Sequence, residues 1–271
     1  MRKRIITAAV LVPLLLLVLF VAPKVVTAVL FSLLCAIAAY EMLFNTGFVR
    51  HPRLVIYSMV AAAMGPLWSF FGTDAAWALA GILFFVTVLF MEVMLSDLKL
   101  RFEKISICFV AGILLPYMLS ALVRIIARHD GRYLILIPFV IAFLSDSGAY
   151  FIGCRYGKHK LAPVISPNKS IEGVAGGIIT AVVGMLIYLL VMQLGFGCRV
   201  NYLYALLYAI LGSFMGVFGD LCFSSIKRQT GIKDFGNIIP GHGGVLDRFD
   251  SMLLIAPLTE LLLMILPAVV K

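Results

Sequence analysis

Charged residues are scarce in this chain. Asp, Glu, Lys and Arg make up 13% of the 271 residues, 63% are hydrophobic, and the mean hydropathy is +1.10. A soluble domain contains about 45–50% apolar residues, so water is not the main solvent of this chain. Because a membrane span needs about 20 mostly apolar residues, spans and short loops occupy nearly the whole length. Any active site must therefore be built from helix ends and loops.

Cysteines are few, and their spacing does not suggest a disulfide framework or a metal site. The five cysteines are odd in number, form no Cys-x-x-Cys pair and mostly lie within or beside apolar stretches. Such spacing is not that of paired or metal-binding thiols. We assign these roles to none of them: Cys35, Cys108, Cys154, Cys198 and Cys222.

Several familiar catalytic motifs are also missing. The sequence contains no Gly-x-x-x-x-Gly-Lys-Ser/Thr phosphate loop, no Gly-x-Gly-x-x-Gly after a strand, no Gly-x-Ser-x-Gly elbow and no His-Glu-x-x-His. These absences argue against P-loop, dinucleotide-binding, α/β-hydrolase and zincin chemistry. The net charge of +9 does not indicate nucleic acid either, because the basic residues form short clusters between apolar runs rather than one solvent-facing stripe.

Long apolar runs are what the sequence does contain. They predict an all-α, polytopic integral membrane protein with about nine transmembrane helices. The predicted spans are 5–22, 24–44, 53–71, 75–95, 105–127, 133–153, 172–194, 201–223 and 250–270. Met1-Arg2-Lys3-Arg4 before the first run imitates a secretory signal, but no small-residue cleavage site follows. We therefore expect an uncleaved first helix, with Pro23 either separating two spans or interrupting one.

The distribution of basic residues predicts the orientation. With the N-terminus in the cytoplasm, most of the 22 Lys and Arg residues fall in cytoplasmic segments, as the positive-inside rule requires. Arg124, Arg128 and Arg132 are the exception. Among acidic residues, Glu41 and Glu92 lie near predicted span ends, where water is within reach, so a structural role is favoured for both.

Two cytoplasmic loops, 154–171 and 224–249, are long, rich in Gly and Lys, and flanked by acidic residues. Residues 1–130 show only generic membrane-helix composition. We therefore divide the chain into N-terminal transmembrane helices, 1–130, and a C-terminal catalytic region, 131–271, that carries both loops.

The second loop concentrates groups that handle phosphate. Glycines around His242 leave backbone N–H groups open to an anion. Asp247 and Asp250 share a face if the last helix has begun by then, although either could simply cap it. Asp220 follows Gly212, Gly216 and Gly219, a spacing that lets helices pack closely but does not explain a carboxylate at the membrane boundary. Asp220 and Asp247 together suit Mg²⁺, with substrate phosphates completing its ligands.

The first loop repeats this pattern. Asp146 is embedded in an apolar helix, where it serves either a helix–helix hydrogen bond or a substrate contact. Ser170 and Glu172 either contact substrate or cap the next span. The predicted substrate-binding residues are Asp146, Lys169, Ser170, Glu172, Gly243 and Gly244.

At these residues the chain resembles the phosphatidate cytidylyltransferase, or CDP-diacylglycerol synthase, family. The segment from Ser224 to Asp250 reads Ser-x-Ile-Lys-Arg, then Lys-Asp-x-Gly, then Pro-Gly-His-Gly-Gly-x-x-Asp-Arg-Phe-Asp, which fits the family signature without a gap. The segment 145–177 also resembles a second marked stretch of the family, with small departures such as Cys154. The resemblance covers the C-terminal half.

The resemblance implies that CTP and phosphatidate give CDP-diacylglycerol and pyrophosphate, with Mg²⁺ required, during phospholipid biosynthesis. The phosphate of phosphatidate would attack the α-phosphorus of CTP without a protein nucleophile, so catalysis would consist of positioning and electrostatics. We expect Asp250 to bind a second cation or to orient Arg248, and His242 to meet the leaving pyrophosphate or to order its loop. The predicted catalytic residues are Asp220, Lys227, Arg228, Lys233, His242, Asp247, Arg248 and Asp250.

Two other functions would also place acidic and basic residues at the ends of membrane helices. A CTP-dependent lipid-alcohol kinase would share the phosphate site but release CDP. An ion-coupled transporter would need midplane sites and broken helices in matching halves, which the sequence does not indicate. We expect membrane lipids around the chain, a bacterial inner membrane, and an active site on its cytoplasmic side. The sequence leaves the oligomeric state open, a homodimer included.

Overall fold

The computed structural model describes residues 13–72, 74–97, 99–239, 241 and 243–270. Most of these residues are helical. The helices are residues 13–20 (α1), Lys24–Asn45 (α2), Pro52–Phe71 (α3), Ala75–Leu95 (α4), Phe102–Ala127 (α5), Gly131–Tyr156 (α6), Ile171–Phe196 (α7), Tyr202–Gln229 (α8), Leu246–Phe249 (α9) and Met252–Ile265 (α10). The short strands are Lys160–Ala162 (β1), Ser166–Ser170 (β2), Arg199–Val200 (β3) and Val269–Val270 (β4).

In the described part of the chain, seven helices, α2 to α8, are long and apolar enough to cross a membrane. Helix α4 has the apolar outer surface expected of a membrane helix, because Trp77, Phe84 and Met94 are 69%, 72% and 73% exposed. Large apolar side chains on an outer face are stable in lipid, where a helix satisfies its own backbone hydrogen bonds. The predicted all-α, polytopic membrane fold is confirmed.

The predicted boundaries fail at two places near the C-terminus. Helix α10 has 14 residues, about 21 Å at 1.5 Å per residue, so it is shorter than the predicted span 250–270. The residues after Ile265 are not helical, because Val269–Val270 (β4) pairs antiparallel with β3. Helix α8 continues to Gln229 instead of ending at residue 223, so Ser224–Arg228 are helical and not part of a loop.

The start of the chain agrees with a break at Pro23. Residues 13–20 are helical, and Pro23 lies immediately before α2 in an extended conformation, with φ −55° and ψ 142°. Proline has no N–H to give to a helix interior, so α1 and α2 are separate helices. The rest of the predicted span 5–22, up to residue 12, lies outside the described residues.

Local sequence signals explain several other helix ends. Ser170 precedes α7, and its hydroxyl accepts a hydrogen bond from Gly173 N at 3.1 Å, as an N-cap does. Asn201 does the same for α8, because its Oδ1 accepts from Leu203 N and Tyr204 N. Gly197 ends α7 in the left-handed conformation, with φ +66°, which glycine adopts without steric cost.

The chain forms two compact units. The first contains the described residues up to Ala127 together with Gln229–Arg248, and the second contains Arg128–Arg228 together with the residues from Phe249 onward. In the first unit α2 packs on α3, and in the second α6 packs on α7. The loop that carries most of the signature thus belongs to the same unit as the N-terminal helices.

Helices α6 and α7 approach closely because glycines line their contact. A Cβ added at Gly177 of α7 would lie 2.6 Å from the backbone oxygen of Ser145 in α6, and one at Gly148 would lie 2.3 Å from Thr180 Oγ1. Such contacts let helix backbones approach closely in a membrane. The glycines predicted to allow close packing of α8 behave likewise, since a Cβ at Gly216 would lie 2.8 Å from Ile255 Cδ1.

We expect Gly177→Ala to destabilise the protein by about 1–3 kcal/mol, because the added methyl group meets backbone that cannot rotate away. Gly195→Ala, in the same helix, provides the matched control, since nothing lies within 4 Å of its added Cβ. Glycine in a helix costs roughly 0.5–1 kcal/mol relative to alanine, so the control should be neutral or stabilising. Thermal unfolding in detergent measures both variants, and equal shifts would contradict the proposed close contact.

Candidate active site

Helix α8 carries three of the predicted site residues, Asp220, Lys227 and Arg228, on its final turns. Asp220 and Ser224 lie one turn apart, and Ser224 Oγ donates a hydrogen bond to Asp220 Oδ1 at 3.0 Å. Lys227 and Arg228 occupy the last turn, where positive charge is stabilised by the helix dipole. This explains why the helix extends beyond the predicted end: its final polar turns are stabilised without needing an apolar environment.

Asp220 is paired with a lysine from the β1–β2 hairpin. Lys169 lies in β2, and its Nζ is 2.6 Å from Asp220 Oδ2. The two side chains are 24% and 31% exposed, so the pair is partly desolvated. Arg228 fastens the same hairpin, because its Nε donates to the backbone oxygen of Ile165 at 3.2 Å. The predicted residues Lys169, Asp220 and Arg228 are therefore brought together.

A second acid–lysine pair lies in the same unit. Lys227 Nζ is 3.8 Å from Asp250 Oδ2, and the side chains are only 11% and 13% exposed. Burial raises the pKa of Asp250 to about 7, and the negative charges of Asp220 and Asp146 act in the same direction, against the opposing effect of Lys227. We refer to Asp146, Asp220 and Asp250, with Lys169 and Lys227, as the acid–lysine cluster. It concentrates three carboxylates and two lysines in one unit.

Glu172 organises the segment before the hairpin. Its carboxylate accepts hydrogen bonds from the backbone N–H groups of Lys158 and His159, and it lies 2.6 Å from His159 Nδ1. Ser170 caps α7, as described above, so the capping alternative for Ser170 is confirmed. Both residues have structural partners here, and their contact with substrate stays a prediction.

The signature loop comprises residues 230–245, between α8 and α9. Its backbone is held by Asp247, the second residue of α9. This side chain is buried, and its Oδ2 accepts hydrogen bonds from Phe235 N at 2.7 Å and from Gly244 N at 2.9 Å. Gly243 has φ +86° and lies against Asp247 Oδ2, a conformation that glycine adopts readily. The predicted open N–H of Gly244 is thus used by the protein's own carboxylate.

Other predicted residues of this loop are placed differently. Lys233 and Arg248 are exposed, so they are accessible to a soluble nucleotide. Asp247 lies in α9, and Asp250 follows it in a turn before α10 begins at Met252. The two carboxylates therefore do not share a face of the last helix, because that helix starts later than predicted. His242 lies outside the described residues.

The two predicted magnesium ligands belong to different units, Asp220 to the second and Asp247 to the first. Among the described residues, no three or more His, Cys, Asp and Glu side chains are grouped to hold a metal ion. Magnesium is usually held by only one or two carboxylates plus substrate phosphates and water, so this donor set is sufficient in kind. Metal binding by Asp220 and Asp247 stays a prediction.

Sequence reasoning missed the role of Glu41. This residue was expected near water at a span end, yet its side chain is fully buried. It accepts hydrogen bonds from Val245 N at 3.0 Å, at the end of the signature loop, and from Leu246 N at 2.8 Å, at the start of α9. The partner backbone is more than 200 residues away, so no local pattern could have revealed the contact. The available signal was a lone carboxylate within an apolar helix, which is costly without a partner.

Comparison with known proteins identifies the family. Residues 2–266 match the model of the cytidylyltransferase family. The chain belongs to this family. Phosphatidate cytidylyltransferase of Bacillus subtilis (strain 168) is 36% identical over 269 residues, covering 97% of both chains. The protein of the same name from Staphylococcus haemolyticus is 36% identical over 245 residues, covering 88% of this chain and 90% of its own.

A third relative matches half of this chain at higher identity. Phosphatidate cytidylyltransferase of Staphylococcus aureus (strain COL) is 45% identical over 136 residues, half of this chain and 51% of its own. The family resemblance predicted from the signature is confirmed, and the chain is a nucleotidyltransferase. These relatives give the lipid-alcohol kinase alternative no support.

Proposed function

We propose that this membrane enzyme transfers the cytidylyl group of CTP to phosphatidate, giving CDP-diacylglycerol and pyrophosphate, with the acid–lysine cluster and the signature loop as its working parts. The family membership supports the reaction. The observation that carries the site is the Lys169–Asp220 pair, 2.6 Å between Nζ and Oδ2, in the unit that also pairs Lys227 with Asp250. Paired carboxylates and lysines of this kind serve a cation and phosphate oxygens together.

Asp220 and Asp247 are the residues proposed to hold Mg²⁺. The chemistry fits, because Asp220 is a carboxylate that already takes a cationic partner, Lys169, at hydrogen-bond distance. When bound, Mg²⁺ would neutralise charge on the phosphate oxygens of CTP. Asp250, buried beside Lys227, would bind a second cation or orient Arg248.

The cationic side chains of the chain have a separate task. Lys227, Arg228, Lys233 and Arg248 would hold the triphosphate so that the phosphatidate oxygen attacks the α-phosphorus in line and pyrophosphate leaves. No covalent enzyme intermediate is required, so positioning and preorganised charge supply the rate. Asp146, Lys169, Ser170, Glu172, Gly243 and Gly244 are the residues proposed to contact substrates. His242 would meet the leaving pyrophosphate or order its loop.

The setting of the reaction is also proposed. The bias of basic residues toward the same side as both polar loops supports an active site on the cytoplasmic face, in the inner membrane of a bacterium. The catalytic region is proposed to be 131–271, with membrane lipids surrounding the spans of 1–130. Sedimentation of the detergent-solubilised protein measures the oligomeric state, for which the sequence allows a homodimer.

We expect Lys227→Ala to raise the KM for CTP at least about tenfold while lowering kcat less, because a lysine that binds ground-state phosphate contributes equally before and during the reaction. Steady-state kinetics over a range of CTP concentrations measure this. Lys158→Ala, an exposed lysine outside the assigned set, is the control and should change neither constant. A kcat loss at unchanged KM would instead place Lys227 on the transition state.

A further inference from the structure

The C-terminal end of α2 carries one buried acidic side chain, Glu41. Residues Glu41–Asn45 form a π-helical turn, a local widening that often occurs at functional sites. Both Glu41 oxygens accept a backbone hydrogen bond, Oε1 from Val245 N and Oε2 from Leu246 N. The side chain is fully buried, and two consecutive backbone N–H groups bind its two oxygens.

Two glycines make room for the Glu41 side chain. A Cβ added at Gly236 would lie 2.3 Å from Glu41 Oε1, and one added at Gly244 would lie 2.5 Å from both carboxylate oxygens. Neither glycine has the left-handed conformation that would itself require glycine. The absence of a side chain at Gly236 and Gly244 is therefore explained by the Glu41 carboxylate. Both belong to the signature loop, so part of that signature serves an N-terminal residue.

The contacts of α2 lie at both ends of one short loop. Asn45, one turn after Glu41, donates from Nδ2 to the backbone oxygen of Phe235 at 2.7 Å. Asp247 joins the two ends of this loop, because its Oδ2 accepts hydrogen bonds from both Phe235 N and Gly244 N. Glu41, Asn45 and Asp247 thus close the neck of the loop that begins after Phe235 and ends at Gly244.

We propose that Glu41 is a positioning residue for cytidylyl transfer, whose buried carboxylate fixes the neck of the signature loop and thereby the placement of Asp247. This inference rests on the proposed role of Asp247 in the reaction. Glu41 acts through the backbone rather than on substrate, because each of its oxygens is used by a backbone N–H. The N-terminal helices are then part of the catalytic apparatus and not only a membrane anchor.

Glu41→Gln tests the proposal with nearly unchanged volume. The glutamine amide turns one acceptor into a donor that faces a backbone N–H, and hydrogen bonds to a charged group are the stronger kind. Only a fraction of the molecules then hold the loop in its active position, and the apparent Kd for CTP rises in inverse proportion to that fraction. We expect the KM for CTP and the half-saturating Mg²⁺ concentration to rise at least about tenfold, with a smaller fall in kcat at saturation.

Glu92→Gln is the control. Glu92 is also a buried carboxylate in a membrane helix of the same unit, and it pairs with Arg53 and Tyr57 instead of the loop. A purely structural loss lowers the amount of active enzyme but leaves the KM for CTP unchanged. We therefore expect Glu92→Gln to keep the unmutated KM values.

A coupling experiment keeps the proposal testable if Glu41→Gln accumulates poorly. Gly236→Ala should raise the KM for CTP in the presence of Glu41, because the methyl group meets the carboxylate. In a Glu41→Ala background the same change should add little, since the carboxylate has gone and contacting residues are not additive. Gly195→Ala, whose added Cβ meets nothing within 4 Å, should have no effect in either background.

The outcomes separate this inference from the proposed function. If Asp247→Asn retains activity, the proposed role of Asp247 fails first and the inference fails with it. If Asp247→Asn is inactive while Glu41→Gln keeps the KM for CTP and Gly236→Ala acts additively, the inference alone is overturned. Raised KM values for Glu41→Gln together with non-additivity support it.

Discussion

Asp247→Asn is expected to lower kcat at least about 100-fold, the loss that follows removal of one electrostatic stabiliser of a transition state, while the protein still accumulates in the membrane. The substitution is conservative for the fold. The amide oxygen of asparagine can still accept from Phe235 N and Gly244 N, which now donate to Asp247 Oδ2. The variant therefore loses a negative charge while keeping the loop.

Asp74→Asn is the matched control for this experiment. Asp74 is an exposed carboxylate in the same unit, outside the assigned set and outside the family signature. The same chemical change there should leave kcat within about twofold, since surface substitutions have small effects. If Asp247→Asn retained most of its activity, or if both variants lost activity equally, the assignment of Asp247 would be wrong.

Asp220→Asn is expected to have an effect of similar size, at least about 100-fold on kcat. Asp220 forms an ion pair with Lys169 and a hydrogen bond with Ser224, so the variant also leaves Lys169 without its anionic partner. Lys169→Met should therefore cost activity in the unmutated protein and add much less in the Asp220→Asn background, because residues in direct contact are not additive. Cytidylyl-transfer rates of the two single variants and the double variant measure this coupling.

The control for Asp220 lies in the other unit. Asp97 is exposed and has φ +52°, a conformation that asparagine tolerates as well as aspartate does. Asp97→Asn should therefore be indistinguishable from the unmutated enzyme. Full activity of Asp220→Asn, or additive losses with Lys169→Met, would contradict the assignment of this pair.

Hydropathy was enough to predict most of the fold, because each membrane helix corresponds to one continuous run of apolar residues in the sequence. It failed where helices leave the membrane. Helix α8 continues to Gln229 through polar turns that hydropathy does not detect, and α10 stops at Ile265 because the following chain pairs with β3. The first of these is a property of helix dipoles and local hydrogen bonds, and the second depends on a tertiary contact.

The candidate site was predictable where its contacts are local. The Ser170 cap follows from residues three apart in the sequence. The Lys169–Asp220 pair was not predicted: Lys169 was assigned to substrate binding and Asp220 to catalysis and metal binding, because the distance between residues far apart in the chain has no sequence signal. The role of Glu41 was missed because its partners, Val245 and Leu246, donate from their backbone N–H groups. Nearly every residue type has such a group, so the sequence does not indicate this contact.

The most direct test of the central claim compares two labels on CTP, one in the cytidine and one in the γ-phosphate. Purified protein is assayed in detergent micelles that contain both phosphatidate and a lipid alcohol such as diacylglycerol, with and without Mg²⁺, alongside Asp247→Asn. The account predicts that cytidine label enters organic-extractable lipid, that pyrophosphate is released, and that neither occurs without Mg²⁺ or with the variant. Transfer of the γ-phosphate label into lipid with release of CDP would contradict it, because that is the outcome of a kinase.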